Sequence, residues 1–176
     1  IYLTINSSLQ RELDYQLATE AAAAGANKAS CTIMEAKTGR ILATSTYPSF
    51  NPNERNISDY KNFLFDTAYE CGSVFKTFVY ASSIESGLYS GEATYESGSY
   101  DYGASRPIRD HNNGAGWGTI TFNEGFYRSS NVAICNLLER GYTNREDVEQ
   151  VYGDLGLFQE SEVDGFDAVA GVALYK

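Results

Sequence analysis

Two short stretches of this chain carry residue types that can do nucleophilic chemistry together. The first reads Glu70-Cys71-Gly72-Ser73-Val74-Phe75-Lys76 and opens an apolar segment of helical length. Residues three apart share a helix face, so the Ser73 hydroxyl and the Lys76 amine can come within hydrogen-bond reach. A lysine with its ordinary pKa of about 10.4 is a poor base, but burial disfavours the charged form and frees the amine to take a hydroxyl proton. The start of a helix adds a partial positive field and free amides for a developing oxyanion. With 17 Ser and 5 Lys in the chain, a Ser-x-x-Lys spacing arises about half a time by chance, so the spacing alone is weak. Its position is more informative, because a lysine turned inward on an apolar helix is expensive without a purpose. The second stretch is Arg128-Ser129-Ser130-Asn131-Val132-Ala133. There Ser129 can relay a proton between the lysine and a leaving amine, and the Asn131 amide offers a donor and an acceptor to a peptide bond. The plainer reading is that Ser129, Ser130 or Asn131 only caps a helix beginning at Val132.

The elements that must position these residues are legible from periodicity and punctuation. Asn6, Ser7 and Ser8 offer caps for a helix with Leu9, Leu13, Leu17 and Ala21 on one stripe, ending at Gly25. Ala29–Ala36 and Arg40–Thr46 read as two strands joined at Lys37-Thr38-Gly39, where Gly39 can take a positive φ. Two strands alone do not make a stable sheet, so further strands or a partner are needed. After a loop from Tyr47 to about Ser58, Gly72–Gly87 reads as a helix with apolar residues on more than one face, expected to be largely buried. Leu88–Gly118 lacks periodicity and reads as an irregular excursion of short strands and turns. Tyr95, Tyr100 and Tyr102 in it suit a substrate groove or, more simply, short-strand packing. Thr121 with Glu124 forms a capping box for a short helix ending near Arg128, Val132–Arg140 forms another stopping at Gly141, and Thr143 with Glu146 caps a third.

Composition narrows the function classes. The 176 residues hold 13 Lys+Arg against 23 Asp+Glu, a net charge of −10 with no basic cluster, which excludes a nucleic-acid backbone as partner. No apolar run is long enough to span a bilayer. Cys31, Cys71 and Cys135 are too widely spaced for a disulfide framework or a metal site, and are expected to be buried thiols. Neither a metal nor a cofactor is implied. His111 would have to carry any histidine-based catalysis, and it falls in a turn-rich stretch that reads as loop.

Taken in order, Ser73-x-x-Lys76 and Ser129-x-Asn131 resemble the motifs of the serine acyltransferases that react with penicillin, and most closely those of the class B penicillin-binding proteins. Further stretches extend the likeness to about Phe158: Leu3-Thr4-Ile5-Asn6, Lys37-Thr38-Gly39-Arg40-Ile41-Leu42-Ala43, Pro48-Ser49-Phe50-Asn51-Pro52-Asn53, Ile108-Arg109-Asp110 and Gly116-Trp117-Gly118-Thr119. The resemblance implies an α+β fold of the penicillin-binding protein and serine β-lactamase type, with helices packed on an antiparallel sheet and a helical subdomain. It divides this stretch into an N-terminal helix and hairpin (1–58) and a nucleophile helix, loop excursion and helical subdomain (59–176). It also implies a D,D-transpeptidase cycle on peptidoglycan stem peptides ending in D-Ala-D-Ala. In that cycle Ser73 is the nucleophile, Lys76 the base, Ser129 the proton relay, and Asn131 the substrate-amide ligand. β-Lactams act as covalent inhibitors and other cell-wall synthesis proteins are possible partners. The implied place is the outer face of the bacterial cytoplasmic membrane, with the anchor outside this sequence.

Two departures stand out. The family's third motif, Lys-Ser/Thr-Gly on a sheet strand, has no match after Asn131, and the Lys37-Thr38-Gly39 that does occur is a hairpin turn with no catalytic role. The C-terminal strands are therefore expected to be missing from this chain, and the fragment alone to be inactive or impaired. Cys71 stands where most relatives have Pro. The alternatives are a serine β-lactamase, a β-lactam-sensing receptor domain, and a non-catalytic interaction module.

Overall fold

In the computed structural model, residues 2–54, 62, 65 and 67–159 are described. They belong to two compact units, one within Ile1–Ala68 and one over Tyr69–Gln159. The expected division after residue 58 lies outside the described residues.

The first unit is a helix against a hairpin. Helix α1 spans Ser7–Ala23, and the Asn6 side chain caps it by accepting the Ser8 and Leu9 amides, both at 3.1 Å. Its Leu9, Leu13 and Leu17 are half-buried and Ala21 is buried, which is the stripe expected from the four-residue spacing. Strands β1 (Ala29–Met34) and β2 (Ile41–Tyr47) pair antiparallel, Ala29 opposite Tyr47, with a register shift between Ile33 and Met34. Gly39 turns the hairpin at φ +74°, so the Lys-Thr-Gly triplet is a turn. What the two-stranded ladder lacks in strands, α1 supplies on its β2 edge. The Gln10 side chain donates to Thr44 O (2.8 Å) and accepts from the Thr44 amide (3.0 Å), and the Asn6 amide donates to Leu42 O (2.8 Å).

The second unit is built on the nucleophile segment. Gly72–Phe75 forms a 3-10 turn that runs into α2, Lys76–Glu85. The expectation that this stretch is largely buried is corrected: Val74 and Ile84 are 64% and 59% exposed, and the buried positions are Tyr80, Ser82 and Ser83. Small hydroxyl side chains can be buried here because each has a partner. Ser83 donates to Val79 O (2.9 Å) and Ser82 pairs with Thr143 (2.6 Å). That inward pair also corrects the expected cap at Thr143. The next residue, Asn144, caps the following helix by accepting the Asp147 amide at 2.9 Å.

The excursion after α2 forms four short strands: β3 (Thr94–Glu96), β4 (Ser99–Tyr100), β5 (Ile108–Arg109) and β6 (Thr119–Thr121). They pair as two small antiparallel ladders, β3 with β6 and β4 with β5. Helices α3 (Phe122–Tyr127), α4 (Asn131–Glu139) and α5 (Arg145–Asp154) follow. Half of the expected capping box is present: Thr121 Oγ1 accepts the Glu124 amide at 3.1 Å, while the Glu124 carboxylate accepts from Arg128 Nε at 2.8 Å. The core joins Tyr80, Tyr95, Ile120, Phe122, Val132, Ala133 and Leu137. Tyr95 is thus a core residue stacked on Phe122 (5.0 Å between centroids), while Tyr102 is exposed. The cysteine expectation is also corrected: Cys31 and Cys135 are half-buried and Cys71 is exposed, all three as free thiols. Cys71 lies in the uncovered approach to the 3-10 turn, where residues 67–74 are all exposed.

Two glycines in helices separate packing from propensity. A Cβ on Gly125 would sit 2.4 Å from the Tyr95 hydroxyl, at the end of a rigid ring that is 2% exposed and cannot swing away. A Cβ on Gly153, in α5, would meet nothing within 4 Å. Chemical denaturation should therefore show Gly125→Ala destabilised by about 1–3 kcal/mol through overpacking. Gly153→Ala should be stabilised by about 0.5–1 kcal/mol through helix propensity.

Candidate active site

The two candidate motifs meet in the second unit, although 53 residues separate them in sequence. The Lys76 amine donates to the Ser129 carbonyl oxygen at 2.6 Å and lies 3.2 Å from the Ser129 hydroxyl. Lys76 begins α2 and is half-buried, so burial pulls its pKa down, against an upward pull from the Asp110 carboxylate. A lowered amine pKa is what base chemistry near neutral pH needs. An aromatic floor holds this end of α2: Phe75 packs on Phe78, Tyr152 and Phe158 with centroids 5.3, 5.5 and 5.8 Å apart.

Ser73 lies one helical turn before Lys76, in the 3-10 turn, and is exposed. No side chain caps this turn, so its first amides are available to an incoming oxyanion. Among the described residues the Ser73 hydroxyl has no hydrogen-bond partner, and the Lys76 amine is engaged by Ser129 instead. The arrangement therefore brings Lys76 and Ser129 together and leaves Ser73 open to substrate.

Asn131 is the first residue of α4, and its side-chain Nδ2 donates to the Arg109 carbonyl at 2.7 Å. Among the described residues nothing donates to its Oδ1. Ser129 has left-handed backbone, φ +53°, a conformation worth about 1 kcal/mol of strain in a residue with a Cβ. Ser130, not Ser129 or Asn131, is the helix cap and accepts the Ala133 amide at 3.0 Å. Ser130 thus fills the capping role in this stretch, which leaves the hydroxyl of Ser129 and the side-chain amide of Asn131 free of that duty.

The residue that the motif spacing did not reveal is Asp110. It is 2% exposed and accepts four hydrogen bonds: from the Gly98 amide (2.8 Å), the Ser130 hydroxyl (2.8 Å), and the Asn131 and Val132 amides (2.7 and 3.1 Å). Burial works against its charge, but these bonds outweigh it and hold the carboxyl below the usual carboxylate range. Its donors lie 12 to 22 residues away in sequence, so no local spacing marks it. His111, next to it, is an exposed turn residue set edge-on to Trp117 at 5.5 Å, as the loop reading expects.

A cleft of about 320 Å³ adjoins these groups, lined by Gly72, Phe75, Lys76, Ile108, Asn131 and Cys135 among others. Its walls are mostly apolar, with the Lys76 amine and the Asn131 amide as its polar features. Burial pushes the Cys135 thiol up, so it stays protonated and makes a poor nucleophile. No group of three or more metal-ligating side chains occurs among the described residues.

Comparisons with known proteins bear on the family of the chain. The family model described as the penicillin binding protein transpeptidase domain matches residues 29–172. The "Penicillin-binding protein PbpB" of Mycolicibacterium smegmatis is 32% identical over 92 residues, which is 50% of this chain and 14% of that protein. The "Probable peptidoglycan D,D-transpeptidase FtsI" of Caulobacter vibrioides is 26% identical over 165 residues, 92% of this chain and 27% of that protein. The crystal structure of a peptidoglycan glycosyltransferase from Burkholderia ambifaria superimposes with a TM-score of 0.80 at 25% identity, over 99% of this chain and 51% of that one. This chain thus spans about a quarter or less of those two curated relatives and half of the solved structure. With the α+β fold and the order of the two motifs, the match over most of its length shows that the chain belongs to the penicillin-binding protein transpeptidase domain family, of the class B kind.

Proposed function

We propose that this chain supplies the nucleophile, base and proton relay of a D,D-transpeptidase acting on peptidoglycan stem peptides. The observation that carries the reading is the junction of Lys76 with Ser129 at 2.6 and 3.2 Å. Ser73 Oγ attacks the carbonyl carbon between the two D-alanines while the neutral Lys76 amine takes its proton. The C–N bond then breaks, and Ser129 passes a proton to the departing D-alanine amine. Asn131 Oδ1 accepts the N–H of the substrate amide. An amine of a second stem attacks the resulting ester and loses a proton to Lys76, the bond between the acyl carbon and Ser73 Oγ breaks, and Oγ takes that proton back from Lys76. A β-lactam presents a similar amide to Ser73 and remains as an ester.

Family membership supports the roles of Ser73, Lys76, Ser129 and Asn131, and it supports a site of action on the outer face of the cytoplasmic membrane. No described helix is long and apolar enough to cross a membrane.

Incubating the full-length protein with a fluorescent penicillin should give one stoichiometric, slowly released adduct, located on Ser73 by mass spectrometry. Ser73→Ala should give none, and Lys76→Ala should slow acylation by about 10²–10⁴-fold. Acylation should also weaken on the acid side as pH falls through the Lys76 pKa, which lies below the ordinary lysine value. An unlabelled protein would defeat the proposal, and rapid hydrolytic turnover of the penicillin would point to a β-lactamase.

A further inference from the structure

We infer that Asp110 is a positioning residue for the Lys76–Ser129 pair, acting through the N-terminus of α4 rather than on substrate. The inference rests on the acyl-transfer reading of the same site and extends it to a residue outside both motifs.

The geometry is specific. Asp110 Oδ1 accepts three bonds from consecutive residues, the Ser130 hydroxyl and the Asn131 and Val132 amides, while Oδ2 accepts the Gly98 amide. One carboxylate therefore ties the segment after β5 to the first turn of α4, where negative charge also suits the helix dipole. Immediately before these donors comes Ser129, whose left-handed backbone is tolerated only where its surroundings dictate it. Its amide donates to Phe126 O at 3.0 Å and the next amide to Gly125 O at 2.9 Å, which fixes the peptide from the α3 side. Asp110 fixes it from the α4 side. The Ser129 carbonyl and hydroxyl that meet Lys76 are thereby aimed by a carboxylate that does not itself line the cleft. The Asn131 amide is held twice more, because Asp110 binds its backbone and the neighbouring Arg109 carbonyl binds its side chain.

A second link is electrostatic. Among the described residues around the Lys76 amine, Asp110 is the charged group that raises its pKa against burial. Cys135, which shares the cleft from α4, stays neutral because burial raises its thiol pKa.

The variants Asp110→Asn and Asp110→Glu in the full-length protein separate aim from charge. In each, penicillin acylation is measured as a second-order rate per folded molecule across pH, with folding checked by thermal denaturation. Asp110→Asn removes the charge and sets an Nδ2 donor or a weaker acceptor against the four donors. The expected result is acylation slowed by about 10²-fold, with the acidic limb moved to lower pH because Lys76 loses the charge that favours its protonated form. Asp110→Glu keeps the charge on a longer arm, and its acidic limb should stay at the wild-type pH while the rate remains depressed. If Asp110→Asn does not fold, Asp110→Glu carries the test through its rate alone. A merely structural residue would lower the melting temperature and leave the rate per folded molecule and the acidic limb at wild-type values, and that outcome overturns the inference. Wild-type protein that takes up no penicillin would instead overturn the acyl-transfer reading, and this inference with it.

Discussion

A carboxylate withdrawn from water is tolerable only when its charge is met by donors, and around Asp110 four donors do so at 2.7–3.1 Å. Hydrogen bonds to a charged group contribute about 1.5–3 kcal/mol each, enough together to offset a desolvation cost of several kcal/mol. The second unit is arranged around this exchange. The β4–β5 ladder already sets Gly98 beside Asp110, whose backbone amide donates to the Gly98 carbonyl at 2.9 Å, and the Asp110 side chain ties that ladder to the start of α4. The proximity of Lys76 to Ser129 follows from where α4 begins.

Around that point the unit uses two kinds of packing. The Phe122 side packs as an apolar core, with Tyr95 stacked on the Phe122 ring, the Tyr80 hydroxyl donating to the Phe122 carbonyl, and Val132 and Leu137 from α4 in the same cluster. The junction of α2 with α5 is different, joined by the buried Ser82–Thr143 pair and by an aromatic group centred on Phe75. Small hydroxyl side chains permit close approach of the segments, and the rings fill the wider gap near Lys76. Rigidity at that end is what a base needs, because an amine free to swing would return to water and regain its charge.

Much of the site was legible because its chemistry is local. A serine and a lysine three apart, a Thr-x-x-Glu box, and a serine before an apolar helix are short-range patterns, and α1, the β1–β2 hairpin, α3 and α4 followed from them closely. What escaped depended on distant partners. Ser82 and Ser83 read as polar interruptions of an apolar helix until Thr143 and the Val79 carbonyl are seen to satisfy them. Asn144 and Thr143 are both able to cap, and only the partner waiting at Ser82 decides between them. Asp110 was visible as part of a family-like stretch, yet nothing in its neighbours announced that it would be buried. Lys37-Thr38-Gly39 shows the converse, since its place between two strands marks a motif-like triplet as a hairpin turn, and the structure has a turn there.

The docking of Gln10 on β2 has its own effect on how this hairpin can grow. Its side-chain amide copies a peptide group, giving Thr44 the donor and acceptor that a neighbouring strand would give, and Asn6 does half as much for Leu42. A strand approaching from that side would find those backbone positions already taken and would have to evict a helix residue to pair. The β1 edge carries no such plug among the described residues, so the hairpin is a sheet with a closed side and an open side, and its direction of extension is written into one glutamine.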